Sequence, residues 1–194
     1  MSRTAQTQRV TGETRVTVSL DLDGAGAATV DTGLGFLDHM LDALARHSGL
    51  DLEVAAEGDT DVDDHHTVED CAIVIGGAFG EALGGADGIR RFGSAYAPLD
   101  EALARAVVDL SSRSWPEINI SFARDRIGDV AAENITHFLR TLAVEGRMTL
   151  HVDVLRGDND HHKAEAAFKA VALALREATA VVGGGAPSTK GVLG

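Results

Sequence analysis

Sulfur cross-links are excluded at the outset. The 194 residues include one cysteine, Cys71, so no internal disulfide can form. Aromatic residues make up only 4%, so the core must be built mainly from Ala, Val, Leu and Ile. No uninterrupted apolar run approaches the ~18 residues of a helical membrane span, so no such span is expected. The first nine residues are polar and lack the apolar centre of a signal peptide. These absences lead to the expectation of a cytoplasmic protein. Positive charge is also scarce. Three lysines, Lys163, Lys169 and Lys190, and fourteen arginines stand against 30 acidic residues, for a net charge of −13. Such a surface repels nucleic acid and anionic membranes, so neither is expected as a partner. A salt-rich cytosol and GC-rich codon usage are equally good reasons for the acidity.

Histidine is what the chain has in a pattern. His65-His66-Thr67-Val68-Glu69 recurs as His161-His162-Lys163-Ala164-Glu165. A lone histidine precedes each copy, His39 before the first and His137 before the second. One such pentapeptide is weak evidence for a metal, because short motifs arise by chance. Two copies in register, each with its leading histidine, make a duplicated metal-binding unit the better reading.

Local patterning agrees with a duplication. Residues 14–22 alternate apolar and polar as a half-buried strand, and 27–32 is read as its return strand. Residues 34–46 carry a helical apolar stripe ended by Gly49. A strand over 50–56 and a helix from Asp63 or Asp64 to about Leu83 complete the unit. The second half is read as strands at 103–110 and 117–122, a helix at 131–144, a strand at 148–155 and a helix at 160–180. The expectation is one compact duplicated domain, with half-repeats at 1–88 and 89–194. Gly76-Gly77-Ala78-Phe79-Gly80 lacks the Gly-Lys-Ser/Thr ending of a phosphate loop and is read as close helix packing.

Residues i and i+4 share a helix face, so His65 with Glu69, and His161 with Glu165, can each chelate an ion. His66 and His162 point about 100° away, toward a second ion. His39 and His137 complete the shells. Asp38 and Asp64 are candidate partners for the ring N–H groups. Six imidazoles and two carboxylates suit Mn, Fe, Co or Zn, and are too nitrogen-rich for Mg or Ca. A basic group, Arg90, Arg91, Arg113, Lys169 and Lys190 with Ser188, could converge on a phosphate. Two other readings stay open. A metal-storage module would need the ligands but no substrate pocket, and a two-metal hydrolase usually has bridging carboxylates.

Several longer segments resemble one family. Thr11-Gly12-Glu13-Thr14, Phe36-Leu37-Asp38-His39-Met40-Leu41, Asp63-Asp64-His65-His66-Thr67-Val68-Glu69-Asp70, Gly88-Ile89-Arg90-Arg91-Phe92-Gly93, Pro98-Leu99-Asp100-Glu101-Ala102, His161-His162-Lys163-Ala164-Glu165 and Pro187-Ser188-Thr189-Lys190-Gly191 are similar to imidazoleglycerol-phosphate dehydratases of histidine biosynthesis. The resemblance implies an α/β fold of the α+β type. It has two pseudo-symmetric halves, each a four-stranded sheet backed by helices, as in ribosomal protein S5 domain 2-like folds. It implies a hydro-lyase that converts imidazole glycerol phosphate to imidazole acetol phosphate. It also implies two Mn(2+) ions per active site, with other divalent transition metals possible, and a homo-oligomer of 24 subunits with shared sites. Carried over by motif, the metal ligands are His39, His65, His66, Glu69, His137, His161, His162 and Glu165. Glu13 and Glu165 become the acid/base residues. Substrate binding falls to Glu13, Arg91, Arg113, Lys169, Ser188, Thr189 and Lys190. Around Arg113 this chain reads Leu110-Ser111-Ser112-Arg113-Ser114, where the family has Leu-Ser-Gly-Arg-Pro.

Overall fold

The structure, a computed structural model, describes residues 2–85 and 87–185. In the first half, strands β1 (Thr4–Val10), β2 (Thr14–Asp21) and β3 (Ala28–Asp31) precede helix α1 (Gly35–Ser48), and strand β4 (Asp51–Gly58) and helix α2 (His65–Leu83) follow it. The second half repeats this with β5 (Phe92–Leu99), β6 (Ala102–Asp109) and β7 (Trp115–Asn119). A short hairpin, β8 (Arg126–Ile127) and β9 (Val130–Ala131), then leads into α3 (Ala132–Glu145), β10 (Thr149–Arg156) and α4 (Asp160–Thr179). The two main sheets have the same order, β1-β2-β4-β3 and β5-β6-β10-β7. The fold is therefore the expected pair of four-stranded sheets backed by helices.

The strand patterning needs three corrections. β1 and β5 are additions to the expected strands, because Thr4–Val10 and Phe92–Leu99 carry too few apolar residues on one face to show period two. Residues 27–32 do not return along β2. β3 runs parallel to β4, pairing Val30 with Val54. Likewise the strand read at 117–122 spans Trp115–Asn119 and pairs parallel with β10, Ile118 beside Val152, rather than with β6. A parallel neighbour is reached by a crossover helix, and α1 and α3 supply it.

Val16, Val18 and Leu20 of β2, with Leu52 and Val54 of β4, form the inner face of the first sheet. The inner face of the second is smaller: Ala102, Ala104, Ala106 and Val108 meet Ala164, Ala167, Ala170 and Ala174 of α4. Small residues let this helix lie very close to the sheet. A Cβ on Gly93 would stand 2.0 Å from the Ala174 carbonyl oxygen. The two halves meet through their helices, α2 against α3 and α1 against α4. The glycine run in α2 serves this meeting: a Cβ on Gly76 would lie 2.8 Å from Glu145 Cβ and 3.0 Å from the Gly146 amide nitrogen.

Candidate metal centre

The helix starts place the histidines. The side chain of Asp63 accepts from the His65 amide at 2.8 Å, which fixes the first turn of α2. Asn159 does the same for α4, accepting from the His161 amide at 2.9 Å. One turn on, Glu69 and Glu165 come beneath His65 and His161. His161 Nε2 stands 3.2 Å from Glu165 Oε2, and His65 Nε2 stands 4.0 Å from Glu69 Oε2.

The third member of each set comes from the opposite half. α1 packs on α4, so His39 Nε2 lies 3.1 Å from Glu165 Oε2. α3 packs on α2, so His137 Nε2 lies 3.0 Å from Glu69 Oε1. In each set, His39–His161–Glu165 and His65–Glu69–His137, the donor atoms lie within 4.8 Å of one another. Ligands about 2.1 Å from an ion stand about 3 Å apart at right angles, so both sets fit a transition metal after small side-chain movement. Six of the eight ligands expected from the sequence are gathered in these two sets.

His66 and His162 stand apart from these sets, as the helical geometry requires. His66 Nδ1 pairs with Asp59 at 3.1 Å, while its Nε2 lies 3.8 Å from Glu13. His162 Nδ1 pairs with Glu101 at 2.7 Å, while its Nε2 lies 3.9 Å from Asp100. Asp59 raises the His66 pKa and Glu101 raises that of His162. Glu101 is held down to about 2, first by the Asn159 amide and then by the His162 ring. A carboxylate on Nδ1 leaves Nε2 as the free donor, which is how an outer partner orients a ligating imidazole.

Asp38 and Asp64 do not touch the rings. Asp38 accepts from the Thr32 hydroxyl at 2.6 Å and the Thr32 amide at 2.9 Å. Asp64 is buried and acts one residue further out. It accepts from Asn134 Nδ2 at 2.8 Å, and Asn134 Oδ1 meets His65 Nδ1 at 3.0 Å. Burial opposes the charge on Asp64, but Asn134 and the Ala131 amide overcome it and lower the pKa.

Asp59, Glu101 and Asn134 were missed from the sequence as ring partners. Glu101 was findable. It immediately precedes β6 as Glu13 immediately precedes β2, and each faces the second histidine of its half. Asp59 follows β4 in Gly58-Asp59, and the same pair recurs after β10 as Gly157-Asp158. Yet His162 takes Glu101 instead, so repetition alone would have misled there.

The acid/base and phosphate candidates divide. Glu13 is exposed in the turn between β1 and β2, in an open depression it shares with Asp59. Glu165 is bound by Lys169, whose Nζ lies 2.7 Å from Oε1. Burial works against its charge, but Lys169 and then His39 hold Glu165 down at about 2. Arg91 is nearly buried and pairs with Asp109, Nε to Oδ1 at 2.6 Å. Arg113 is exposed beside Ser112, which adopts φ +61°, the left-handed conformation that the family's glycine takes easily. Ser188, Thr189 and Lys190 lie outside the described residues.

The sequence profile of the imidazoleglycerol-phosphate dehydratase family matches residues 32–175. The chain is 54% identical to the imidazoleglycerol-phosphate dehydratase of Magnetococcus marinus, covering 100% of this chain and 99% of the relative. It is 49% identical to that of Saccharomyces cerevisiae, covering 97% of each. The enzyme of the same name from Phytophthora nicotianae is 58% identical over 98% of this chain, which spans only 42% of that longer relative. Among solved structures, imidazoleglycerol-phosphate dehydratase from Staphylococcus aureus superposes with a TM-score of 0.83 at 38% identity, covering 92% of this chain and 99% of that one. The Pyrococcus furiosus structure, in complex with (S)-C348, gives 0.82 at 35% identity, covering 96% and 100%.

Proposed function

The chain belongs to the imidazoleglycerol-phosphate dehydratase family, and from that footing we propose how its residues divide the work. It is a hydro-lyase of histidine biosynthesis, removing water from imidazole glycerol phosphate to give imidazole acetol phosphate. The observation that carries the site assignment is the pair of His-His-Glu sets, each drawn from both halves. These sets, with His66 and His162, would hold two Mn(2+) ions per active site; other divalent transition metals suit the same donors. When bound, the ions supply Lewis acidity toward the substrate's imidazole and hydroxyl.

The chain's own groups do the rest. Glu13 is exposed, beside His66, and not part of either set, so it is the carboxylate free to take the proton from the carbon next to the ring. Glu165 is a poor base. Its oxygens are engaged by two imidazoles and an ammonium, and a group held near 2 has little affinity for a proton. Its place is ligation, with Lys169 beside it to meet substrate charge.

Arg91 and Arg113 would grip the phosphate, but of a neighbouring subunit's substrate. β6 separates them from the metal end of their own chain. Glu101, on His162, immediately precedes β6, and Asp109, on Arg91, ends it. Eight residues of strand span about 25 Å, several times the reach of one small substrate. Sites shared between subunits follow, in a homo-oligomer for which 24 copies is the family expectation. A cytoplasmic location is proposed with it; no helix of the described residues is long and apolar enough to cross a membrane.

The test is incubation of Mn-loaded protein with imidazole glycerol phosphate, followed by mass spectrometry. A product lighter by one water is expected. Release of inorganic phosphate would instead indicate the hydrolase, and intact substrate with bound Mn would indicate storage.

A further inference from the structure

The two halves differ most at one place. Three residues join β3 to α1, whereas twelve join β7 to α3, and those twelve contain the β8–β9 hairpin. Residues 123–134 of this insertion and the turn after it touch the start of every helix that carries a metal ligand. Asp160, at the start of α4, accepts from the amides of Ala123 and Arg124 at 2.9 and 2.8 Å. Asp64, just before α2, accepts from the Ala131 amide at 2.8 Å and pairs with Arg126 at 3.1 Å. β9 runs directly into α3. Asp129, at the hairpin tip, accepts from the first amides of α1: Gly35 at 2.6 Å and Phe36 at 2.9 Å.

That last contact replaces something missing. The residue before α1 is Leu34, which has no side-chain acceptor to cap the helix, and its side chain is committed to the core. The free amides at a helix start need an acceptor, and an anion there is further favoured by the helix dipole. Asp129 supplies both from more than ninety residues away. His39 sits one turn inside the helix so held, and its partners His161 and Glu165 sit on α4, which Asp160 ties to the same insertion.

We propose that Asp129 is a positioning residue for the metal centre, holding α1 so that His39 stays in register with His161 and Glu165. The proposal rests on the reading of these three residues as metal ligands. Asp129 touches no ligand itself, so its effect on metal affinity should be on the scale of a lost helix cap, about 1–2 kcal/mol or about 5- to 30-fold.

The test uses the full-length protein and Mn(2+) alone, read by calorimetry and by the electron paramagnetic resonance of free Mn(2+). Wild type is expected to take up two ions per chain. Asp129→Ala should weaken at least one of them by about fivefold or more. Asp129→Asn keeps one acceptor oxygen and the shape, so it remains folded and should show an intermediate loss. Val152→Ala, in the core of β10, serves as the control for general destabilisation and should leave both affinities in place. If both Asp129 variants bind two ions as tightly as wild type, the proposal is wrong. It is equally wrong if Val152→Ala weakens binding as much at the same loss of melting temperature. A wild-type protein that binds no Mn(2+) would instead overturn the ligand assignment beneath it.

Discussion

Gly76→Ala and Gly77→Ala add the same methyl to adjacent positions of α2, and the structure gives them opposite signs. Among the described residues, nothing beyond the helix's own backbone lies within 4 Å of a Cβ at Gly77. There the change should raise stability by about 0.8–1 kcal/mol, the helix-propensity difference between glycine and alanine. At Gly76 the same gain is offset by collision with the end of α3. The new Cβ would stand 2.8 Å from Glu145 Cβ, 3.0 Å from the Gly146 amide nitrogen and 3.0 Å from the Leu142 carbonyl oxygen. Two of the three are backbone atoms, which cannot rotate away. Restoring ordinary contact requires the helices to part by about 0.7 Å. Overpacking of this kind costs about 1–3 kcal/mol. The two variants should therefore differ by that amount, with Gly76→Ala the less stable. At about 2–4 °C per kcal/mol for a chain of this size, the melting temperatures of the chelated proteins should separate by several degrees. The parting also tilts α3, which carries His137 toward or away from Glu69, now 3.0 Å apart. Mn(2+) affinity should fall in Gly76→Ala and hold in Gly77→Ala. Equal melting temperatures for the pair would refute the reading of this helix contact.

Glu13→Gln should lower kcat by about 100-fold or more with normal metal content, as expected for loss of a general base; full activity would remove Glu13 from the chemistry. Lys190→Ala should raise KM more than it lowers kcat, because a phosphate contact exists before and during reaction; an unchanged KM would place the phosphate elsewhere. The pH response should have two opposing parts. Asp64 and Asp160 have lowered pKa values, so their contribution to stability is present above about pH 4 and is lost as pH falls through the lowered values. His66 and His162 have raised values, so their contribution is complete below about pH 6.5 and is lost as pH rises through the raised ones. Chelated protein should thus be most stable at mildly acid pH, while Mn(2+) affinity rises with pH as these rings lose their protons. A stability maximum of the chelated protein on the alkaline side would contradict this. Thorough chelation should also reduce the particle mass in light scattering, since His66 and His162 stand apart from both sets and would complete the shells of a neighbour's ions; an unchanged mass would argue against that sharing.

Periodicity and repetition made the helices and the members of the two His-His-Glu sets legible. α1, α2, α3 and α4 each carry a long apolar face, and the repeated pentapeptide sits where two of them start. Pairing between distant segments was not legible. Nothing local in Ala28–Asp31 says that its neighbour is β4 and not β2, because four residues satisfy either partner equally. Except for Glu101, whose place before β6 mirrors that of Glu13 before β2, the outer partners of the rings were hidden for the same reason. Asp59 and Glu101 sit in turns whose closeness to His66 and His162 is created by the sheet, and Asn134 reaches His65 only after α3 has docked on α2. Asp64 looked like a ring partner by proximity in sequence, but its burial and its bonds to Asn134 and the Ala131 amide put it one step behind.

The crossing of the donor sets between halves has a genealogical consequence. A polypeptide of one repeat would own a leading histidine and a His-His-x-x-Glu helix, yet could bring them together in no single copy, because each helix finds its partner across the divide. Two such copies facing each other through their helices would complete both sets at once. A duplication that joined two such copies would put both sets in one chain, and the repeated pentapeptide is the trace it would leave. Cutting the chain between α2 and β5 recreates the unfused condition: each fragment alone lacks a whole set, and only the two together can restore both.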